Sequence, residues 1–487
     1  MIQPAIVLPS NQGLYYGGQW HAPAVPKEVD VHSPATGERL TKIADASASD
    51  IDPVVAAAKK GYEVWRDVRP LERARILREI ASVIRKNLED LATLDAIDCG
   101  NPVENLRSDV EMSAAAFDFF AGLVTEMKGS SVPVGPNAIN FSVREPYGVV
   151  ARIAPFNHPF IFGVGRAAAP LAAGNSLVVK PPEQAPLSAL RTAELIGHLL
   201  PAGVYNVLPG GRDVGAALVA HPDVSLIAVT GSVPTGKAIM RAASDHLKRV
   251  ILELGGKNAL IALPDVDPDK VAAAMVRGMN FTWCGQSCGS TSRAFVHEDI
   301  YDAVLERLPA HLAKYKPGLP TDPKTTMGCL ASKAQFERTL NYIESAKSDG
   351  ARLIAGGKRA KGPGLDNGYF VEPTAFADVT MKMKIAREEV FGPVLSVFRW
   401  NDEEEVMRQA NSVEYGLTFS VFTRDIVKAH RMVARAQAGF CWINEVGPHI
   451  LGAPFGGYKQ SGIGREECLG ELIDYTQEKN VFVNLNV

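Results

Sequence analysis

The sequence predicts an α/β protein of two main domains, each built on a mainly parallel sheet, and three observations predict it. Between Val149 and Leu254, five short apolar runs (149–154, 177–180, 204–208, 226–230 and 250–254) alternate with amphipathic stretches running on to Ala173 and over 188–200, 214–220 and 235–246. Strands separated by helices at this spacing pair in parallel and are covered on both faces. A second unit of the same character begins near Asn258, with helical patterns at 300–312 and 334–348 and strand-like runs at 394–400, 419–423 and 440–444. The chain has 487 residues, more than one core supports when a domain averages about 150.

Composition narrows the function. A formal net charge of -3 offers no basic field for nucleic acid. Six cysteines in so long a chain are too sparse for a disulfide scaffold. A reducing compartment is expected, with Cys99, Cys329, Cys441 and Cys468 as packed thiols. Met1 to Gln12 lacks the basic start and apolar run of a signal peptide, and no apolar stretch approaches membrane-spanning length. A soluble cytoplasmic protein is therefore expected, with neither nucleic acid nor membrane as a partner.

Taken in order, Tyr15 to Ala44 is broken by Gly17-Gly18 and by Pro34-Ala35-Thr36-Gly37, a hairpin-like pattern. Asp52-Pro53 supplies an N-cap and a first-turn proline for a helix toward Trp65. Ile76, Ile80, Val83, Ile84, Leu88 and Leu91 recur at helical spacing, with Gly100 as the stop. A third helix carries Val110, Phe117, Phe120 and Val124. From Gly129 to Pro146 the text changes to two strands and a turn, alternating Ile139, Phe141 and Val143, an excursion suited to an oligomer contact. The α/β series follows, and in such sheets ligands bind at the carboxyl ends of strands. The tail alternates Val481, Val483 and Leu485 as one more edge strand.

The chemistry is expected around Gly285-Gln286-Ser287-Cys288-Gly289-Ser290. A cysteine among small residues, in a loop between a helical pattern and the apolar run 294–297, suits presentation better than packing. A buried spectator thiol is the competing reading. Three further stretches end strands of the first unit: Pro155-Phe156-Asn157-His158-Pro159, Thr230-Gly231-Ser232 and Leu252-Glu253-Leu254-Gly255-Gly256-Lys257. With Glu388-Glu389-Val390-Phe391-Gly392-Pro393 and Pro454 to Gly462 they stand in an order that resembles the NAD(P)-dependent aldehyde dehydrogenase superfamily, over nearly the whole chain.

The resemblance implies an aldehyde dehydrogenase-like fold: a Rossmann-type cofactor domain (1–126 and 147–254), an α/β catalytic domain (255–458), and a small β oligomerisation arm (127–146 and 475–487) exchanged between protomers of a homodimer or homotetramer. It implies oxidation of a small-molecule aldehyde to the carboxylic acid. Cys288 would be the nucleophile, Asn157 and the Cys288 backbone N–H the oxyanion donors, and Glu253 the base that activates water on the thioester. Arg166 and Glu466 match positions that relay protons in some members, with a plain salt bridge as the alternative. No metal is implied, since Cys284 and Cys288 fall short of a ligand set.

For the cofactor, Lys180 and Glu183 match the ribose contacts, and a carboxylate there favours NAD over NADP, because it repels a 2′-phosphate. Gly231, Ser232 and Gly236 open a helix whose N–H groups can face the pyrophosphate. Ile153, Pro155, Phe156, Thr230 and Leu254 flank that site, and Glu389 and Phe391 match contacts at the nicotinamide end. Departures from the family pattern point to the substrate. Gly165 replaces a bulky ring, and with His158, Phe162, Trp283, Glu445 and His449 it is expected to line a widened aldehyde tunnel for aromatic or other bulky aldehydes. Cys284, if still helical, would share a face with Cys288, as a reversible disulfide partner or a packed thiol. Two other functions compete: a CoA-acylating enzyme, disfavoured by Glu253, and a catalytically silent structural relative, disfavoured by the intact catalytic positions.

Overall fold

A computed structural model describes residues 6–486. Met1 to Ala5 of the expected cofactor domain and Val487 of the expected arm lie outside the described residues.

The first sheet has eight strands, in spatial order Gln19–His21, Leu14–Tyr16, Tyr205–Val207, Ser176–Lys180, Val149–Ile153, Val224–Thr230, Arg249–Glu253 and Gly462–Ile463. The five from Tyr205–Val207 to Arg249–Glu253 run parallel. Chain order reverses between Val149–Ile153 and Val224–Thr230, which opens a crevice at their carboxyl ends. The second sheet runs Arg352–Ala355, Thr374–Ala377, Val394–Trp400, Arg293–His297, Ala259–Ala262, Thr418–Phe422 and Phe440–Ile443, parallel except at its first strand. Both sheets read as near-continuous apolar runs because helices cover both faces. Among the described residues no helix is long and apolar enough to cross a membrane.

Helix boundaries depart from the sequence reading where side chains compete for the backbone. The first long helix, Ile51–Trp65, takes Asp50 as its N-cap residue instead of Asp52. Buried Asp50 is already held by the backbone N–H groups of Ser47 and Ala24. The expected single helix through Leu91 is two, Pro70–Lys86 and Leu88–Cys99. The break is Asn87, whose side-chain amide donates to the Val83 carbonyl at 2.8 Å, a local bond that competes with helix continuation. Gly100 closes the second with φ 87°, as expected of a left-handed C-terminal stop. The stretch to Ala173 is also broken, into Pro159–Gly163, a turn at Gly165–Ala167, and Ala168–Ala173.

Away from both sheets, Thr476–Asn484 pairs antiparallel with Ala138–Pro146, and Ser131–Val132 adds a short third strand. The tail thus pairs with the arm of its own chain. Val132, Ile139, Phe482 and Leu485 stay about half exposed on this ribbon, at 51, 48, 60 and 51%, an apolar surface that isolated ribbons rarely leave open.

Candidate active site

Cys288 lies between the helix Pro268–Gly278 and the strand Arg293–His297, at the amino edge of the second sheet. That edge faces the carboxyl ends of the first. The loop is pinned by amides on all sides. Asn258 donates to the carbonyls of Cys288 (2.7 Å) and Ser290 (2.9 Å). Gln286 donates to the Cys329 carbonyl (3.2 Å) and accepts from Ala331 N–H (3.1 Å). Two glycines permit this closeness. A Cβ on Gly256 would fall 2.5 Å from the Cys288 carbonyl oxygen, and one on Gly285, at φ +67°, 2.2 Å from that of Gly392.

Asn157 comes from the other wall. Its side-chain amide spends one N–H on the Gln286 carbonyl at 2.9 Å, and its backbone carbonyl is held by Asn101 at 2.7 Å. The second amide N–H is left for a ligand. Cys288, Asn157 and Glu253 all border one cavity of about 410 Å³, a size typical of small-molecule sites. Both carboxyl oxygens of Glu253 are buried without a hydrogen-bond partner. Burial, then the neighbouring Glu466, pushes its pKa well above the usual carboxylate range, against the pull of Arg166, Arg465 and Arg152. Burial also pushes the Cys288 thiol up to about 12, with Glu389, Glu253 and Glu466 adding to it. Burial thus biases both the thiol and the carboxyl toward their protonated forms.

Beneath them lies an ionic cluster. Arg152 reaches Glu466 at 2.9 Å and donates to the Thr230 hydroxyl at 2.9 Å. Arg166 contacts Glu466 (3.1 Å), Glu467 (2.8 Å) and Glu471 (3.8 Å). Burial alone would raise Glu467, but Arg166 and His449 outweigh it and bring its pKa down to about 2. Glu471, less closely paired, is raised by burial to about 8.

Across the first sheet a second cleft of about 430 Å³ runs between the helices Arg212–Ala220 and Val233–Ala243, lined by Ile153, Lys180, Gly215, Val219, Pro234 and Ile239 among others, with Arg212 at its edge. Lys180 is buried, which lowers its pKa, and Glu183 lies 3.9 Å from where a Gly211 Cβ would stand. Ser232 caps the second helix by accepting from Thr235 N–H, and Gly236 packs on Leu254, where a Cβ would meet Cδ1 at 2.6 Å. Gly231 donates to the Glu253 carbonyl at 3.0 Å. Toward Cys288, Glu389 accepts from Gly256 N–H at 3.0 Å, and Phe391 meets Phe156, which follows Pro155, edge-on at 5.8 Å. Burial raises Glu389 to about 7. A flat apolar slot, a buried cation and a capped helix N-terminus fit an adenine nucleotide.

The expected tunnel residues divide. His158, Phe162, Trp283 and His449 line the Cys288 cavity; Gly165 and Glu445 do not. Gly165 backs onto the helix Val103–Leu123, where a Cβ would stand 2.7 Å from Ser113 Oγ. The space of the missing ring is filled by that helix, so it does not widen the tunnel, and a ring restored there would clash. Glu445 pairs with Arg277 at the surface. Thr230, expected at the cofactor, borders the Cys288 cavity instead. Cys284 sits at φ 53°, fully buried in the second core, so no helix face joins it to Cys288. The sequence reading did not single out Asp109, Arg152, Asn258, Glu467 and Glu471. Of these only Asn258, next to the Glu-Leu-Gly-Gly-Lys stretch, had a motif to mark it.

Residues 20–481 match the model of the aldehyde dehydrogenase family. The chain is 49% identical over 486 residues to aldehyde dehydrogenase tropH of Talaromyces stipitatus, covering 98% of this chain and 94% of that one. The solved NAD+ complex of an aldehyde dehydrogenase from Bacillus cereus superposes with a TM-score of 0.95 at 39% identity, over 98% of each chain. The indole-3-acetaldehyde dehydrogenase AldA of P. syringae, solved with NAD+ and IAA, gives 0.95 at 35% identity, over 99% of this chain and 97% of that one. Matches that run nearly end to end through both sheets and the Cys288 loop show that the chain belongs to the aldehyde dehydrogenase family and is a nicotinamide-dependent aldehyde dehydrogenase.

Proposed function

We propose that this enzyme oxidises an aromatic or similarly bulky aldehyde to its carboxylic acid, through a thiohemiacetal and a thioester on Cys288, and that it prefers NAD to NADP. The observation that carries the mechanism is Glu253, a buried carboxyl with both oxygens unbonded in the same cavity as Cys288. In a structural role such a group would cost several kcal/mol, about 1–3 or more for each unmet partner. As a base waiting for water, it is free by design.

The Cys288 thiol releases its proton to solvent, the sulfur forms a bond to the carbonyl carbon, and the carbonyl π pair moves onto the oxygen. The resulting oxyanion is held by the free N–H of Asn157 and by the Cys288 backbone N–H, for which no other acceptor is found among the described residues. Bound between Lys180 and Glu389, the nicotinamide cofactor would supply the acceptor for the hydride. Glu253, once ionised, takes a proton from water as the water oxygen attacks the thioester, and Cys288 leaves as thiolate. Glu466 is locked between Arg152 and Arg166, which favours an ion-pair role for it and for Arg166 over proton carriage.

The bulky-substrate reading now rests on the rings of Phe162, Trp283, Trp442 and Phe455 around the cavity, not on Gly165. NAD preference rests on Glu183; Arg212 at the cleft edge opposes it. We assign the segment 459–474 to the cofactor domain of the division above, because its strand Gly462–Ile463 completes the first sheet. The half-exposed ribbon favours a homodimer or homotetramer, and a monomeric mass by light scattering would overturn that. The mechanism is tested with Glu253→Gln. It should give one burst of NADH per active site and then a steady rate slowed about 10²–10⁴-fold, the usual scale of a lost general base. Rescue by CoA rather than water in the unaltered enzyme would point to the acylating branch instead.

A further inference from the structure

His158 follows Asn157 directly and lines the same cavity. Its Nδ1 lies 2.8 Å from Asp109 Oδ2, a carboxylate only 5% exposed on the helix Val103–Leu123. The ring rests against Trp283 at 4.4 Å and Phe162 at 6.1 Å. A carboxylate can only accept, so the proton of a neutral imidazole sits on Nδ1 and the lone pair on Nε2. No protein partner for Nε2 is found among the described residues. An otherwise aromatic wall thus presents one oriented hydrogen-bond acceptor. His449 repeats the arrangement across the cavity. Its Nδ1 is 3.3 Å from both oxygens of Glu467, and its ring packs against Phe455 at 4.4 Å and Phe440 at 5.9 Å.

The surrounding groups decide what such an acceptor can meet. Glu466 and Glu467 border the same cavity but are paired with Arg166, which borders it too, so neither is a free charge for a ring substituent, and a methyl ether or ring carbonyl has no hydrogen to give His158. A neutral hydroxyl does. We propose that the His158–Asp109 pair is a specificity-determining site that recognises a hydroxyl group on the ring of an aromatic aldehyde. This rests on the reading of the Cys288 cavity as the aldehyde site.

The test compares kcat/KM for 2-, 3- and 4-hydroxybenzaldehyde, each against its own methyl ether and each referred to the concentration of neutral phenol, at about pH 7.5, above the ordinary imidazole value of about 6.5, where Nε2 keeps its lone pair. At least one isomer should win over its ether by about tenfold or more, the scale of one hydrogen bond to a charge-backed acceptor. In His158→Phe, which keeps a ring against Trp283 but removes the acceptor, that ratio should fall to within about threefold of unity. Using a ratio cancels any general loss of activity. Asp109→Leu keeps the imidazole but frees its tautomer, and should lower the same ratio mainly through KM of the hydroxyl substrate. A ratio near unity in the unaltered enzyme, a ratio kept in both variants, or a preference for carboxybenzaldehydes would overturn the assignment while leaving the aldehyde reading in place. Absence of NADH from every aldehyde would overturn that reading, and this one with it.

Discussion

The cleft that fits a nucleotide and the cavity at Cys288 are built in opposite ways. The nucleotide cleft is walled by apolar side chains and small residues, with one buried lysine and a helix N-terminus, and most of its lining comes from the helices Arg212–Ala220 and Val233–Ala243. The substrate cavity draws its lining from the helix Val103–Leu123, the segment after Val149–Ile153, the Cys288 loop and the chain beyond Phe440–Ile443. It holds two histidine–carboxylate pairs and a buried ionic cluster. A ligand shared by many enzymes can be met by backbone geometry, which changes slowly with sequence. A particular substrate is met by side chains, each of which can change alone. The two clefts should therefore be separable by mutation.

The largest expected effect tests that separation. Cys288→Ala should lower aldehyde oxidation by at least about 10⁴-fold, because no covalent intermediate can form. The affinity for NAD should stay within about twofold, since Cys288 is not part of the nucleotide cleft. NADH production and direct titration of the cofactor measure the two. A tenfold loss of cofactor affinity would mean that the clefts are one cooperative unit.

Next comes the ionic floor, which has no counterpart in the nucleotide cleft. Arg166→Met leaves Glu466, Glu467 and Glu471 without their shared guanidinium and should cost about 3–5 kcal/mol, the range for breaking a buried pair from one side. The pH dependence has a definite sign. Glu467 has its pKa depressed to about 2 in the folded state, against about 4.3 unfolded. It therefore contributes stability that is full above the unfolded value and is lost as pH falls through about 2. Without Arg166, burial acts on Glu467 with less opposition, its folded pKa rises toward or past the unfolded value, and the fall in stability between about pH 4 and 2 should flatten or reverse. Urea midpoints between pH 2 and 7 would show it. Equal midpoints would mean that the cluster is already relaxed by water.

The same contrast sets what was legible in the sequence. Alternating runs marked the strands of both sheets because two-sided burial leaves an apolar signature that survives without tertiary information. The Pro-Phe-Asn, Thr-Gly-Ser, Glu-Leu-Gly-Gly and Gly-Gln-Ser-Cys stretches were visible because each packs its chemistry into a few consecutive residues. Asp109 was not, since one aspartate in a helix reads as surface until the fold sets His158 against it. Glu467 and Glu471 were equally silent, though Glu466 beside them matched a position of the family. Gly165 misled because substitution at a tunnel position implies space only if the backbone stays put, and here the neighbouring helix fills the gap.

The smallest effect concerns Cys284, four residues before Cys288 in the sequence and on the other side of the contrast between packing and chemistry. Its backbone is left-handed, its N–H donates to the Phe281 carbonyl at 2.8 Å, and the chain then turns through Gly285 at φ +67°. That turn sends Cys284 into the second core and Cys288 into the cavity. Burial, with Cys329 nearby, raises the Cys284 thiol well above its ordinary range, so it stays protonated, and thiolate is the form that exchanges disulfides. Cys284→Ala adds no backbone strain, since both side chains meet the left-handed region on equal terms. It removes one sulfur from a packed core and should cost about 1–2 kcal/mol, within the ordinary range for single substitutions, with kcat/KM unchanged within about twofold. Mild oxidant should inactivate the variant and the unaltered enzyme at the same rate, both through Cys288. If the variant were inactivated irreversibly while thiol reductant rescued the unaltered enzyme, Cys284 would be shielding the nucleophile as a disulfide partner. The loop would then have to unwind at Gly285 to bring the two sulfurs together.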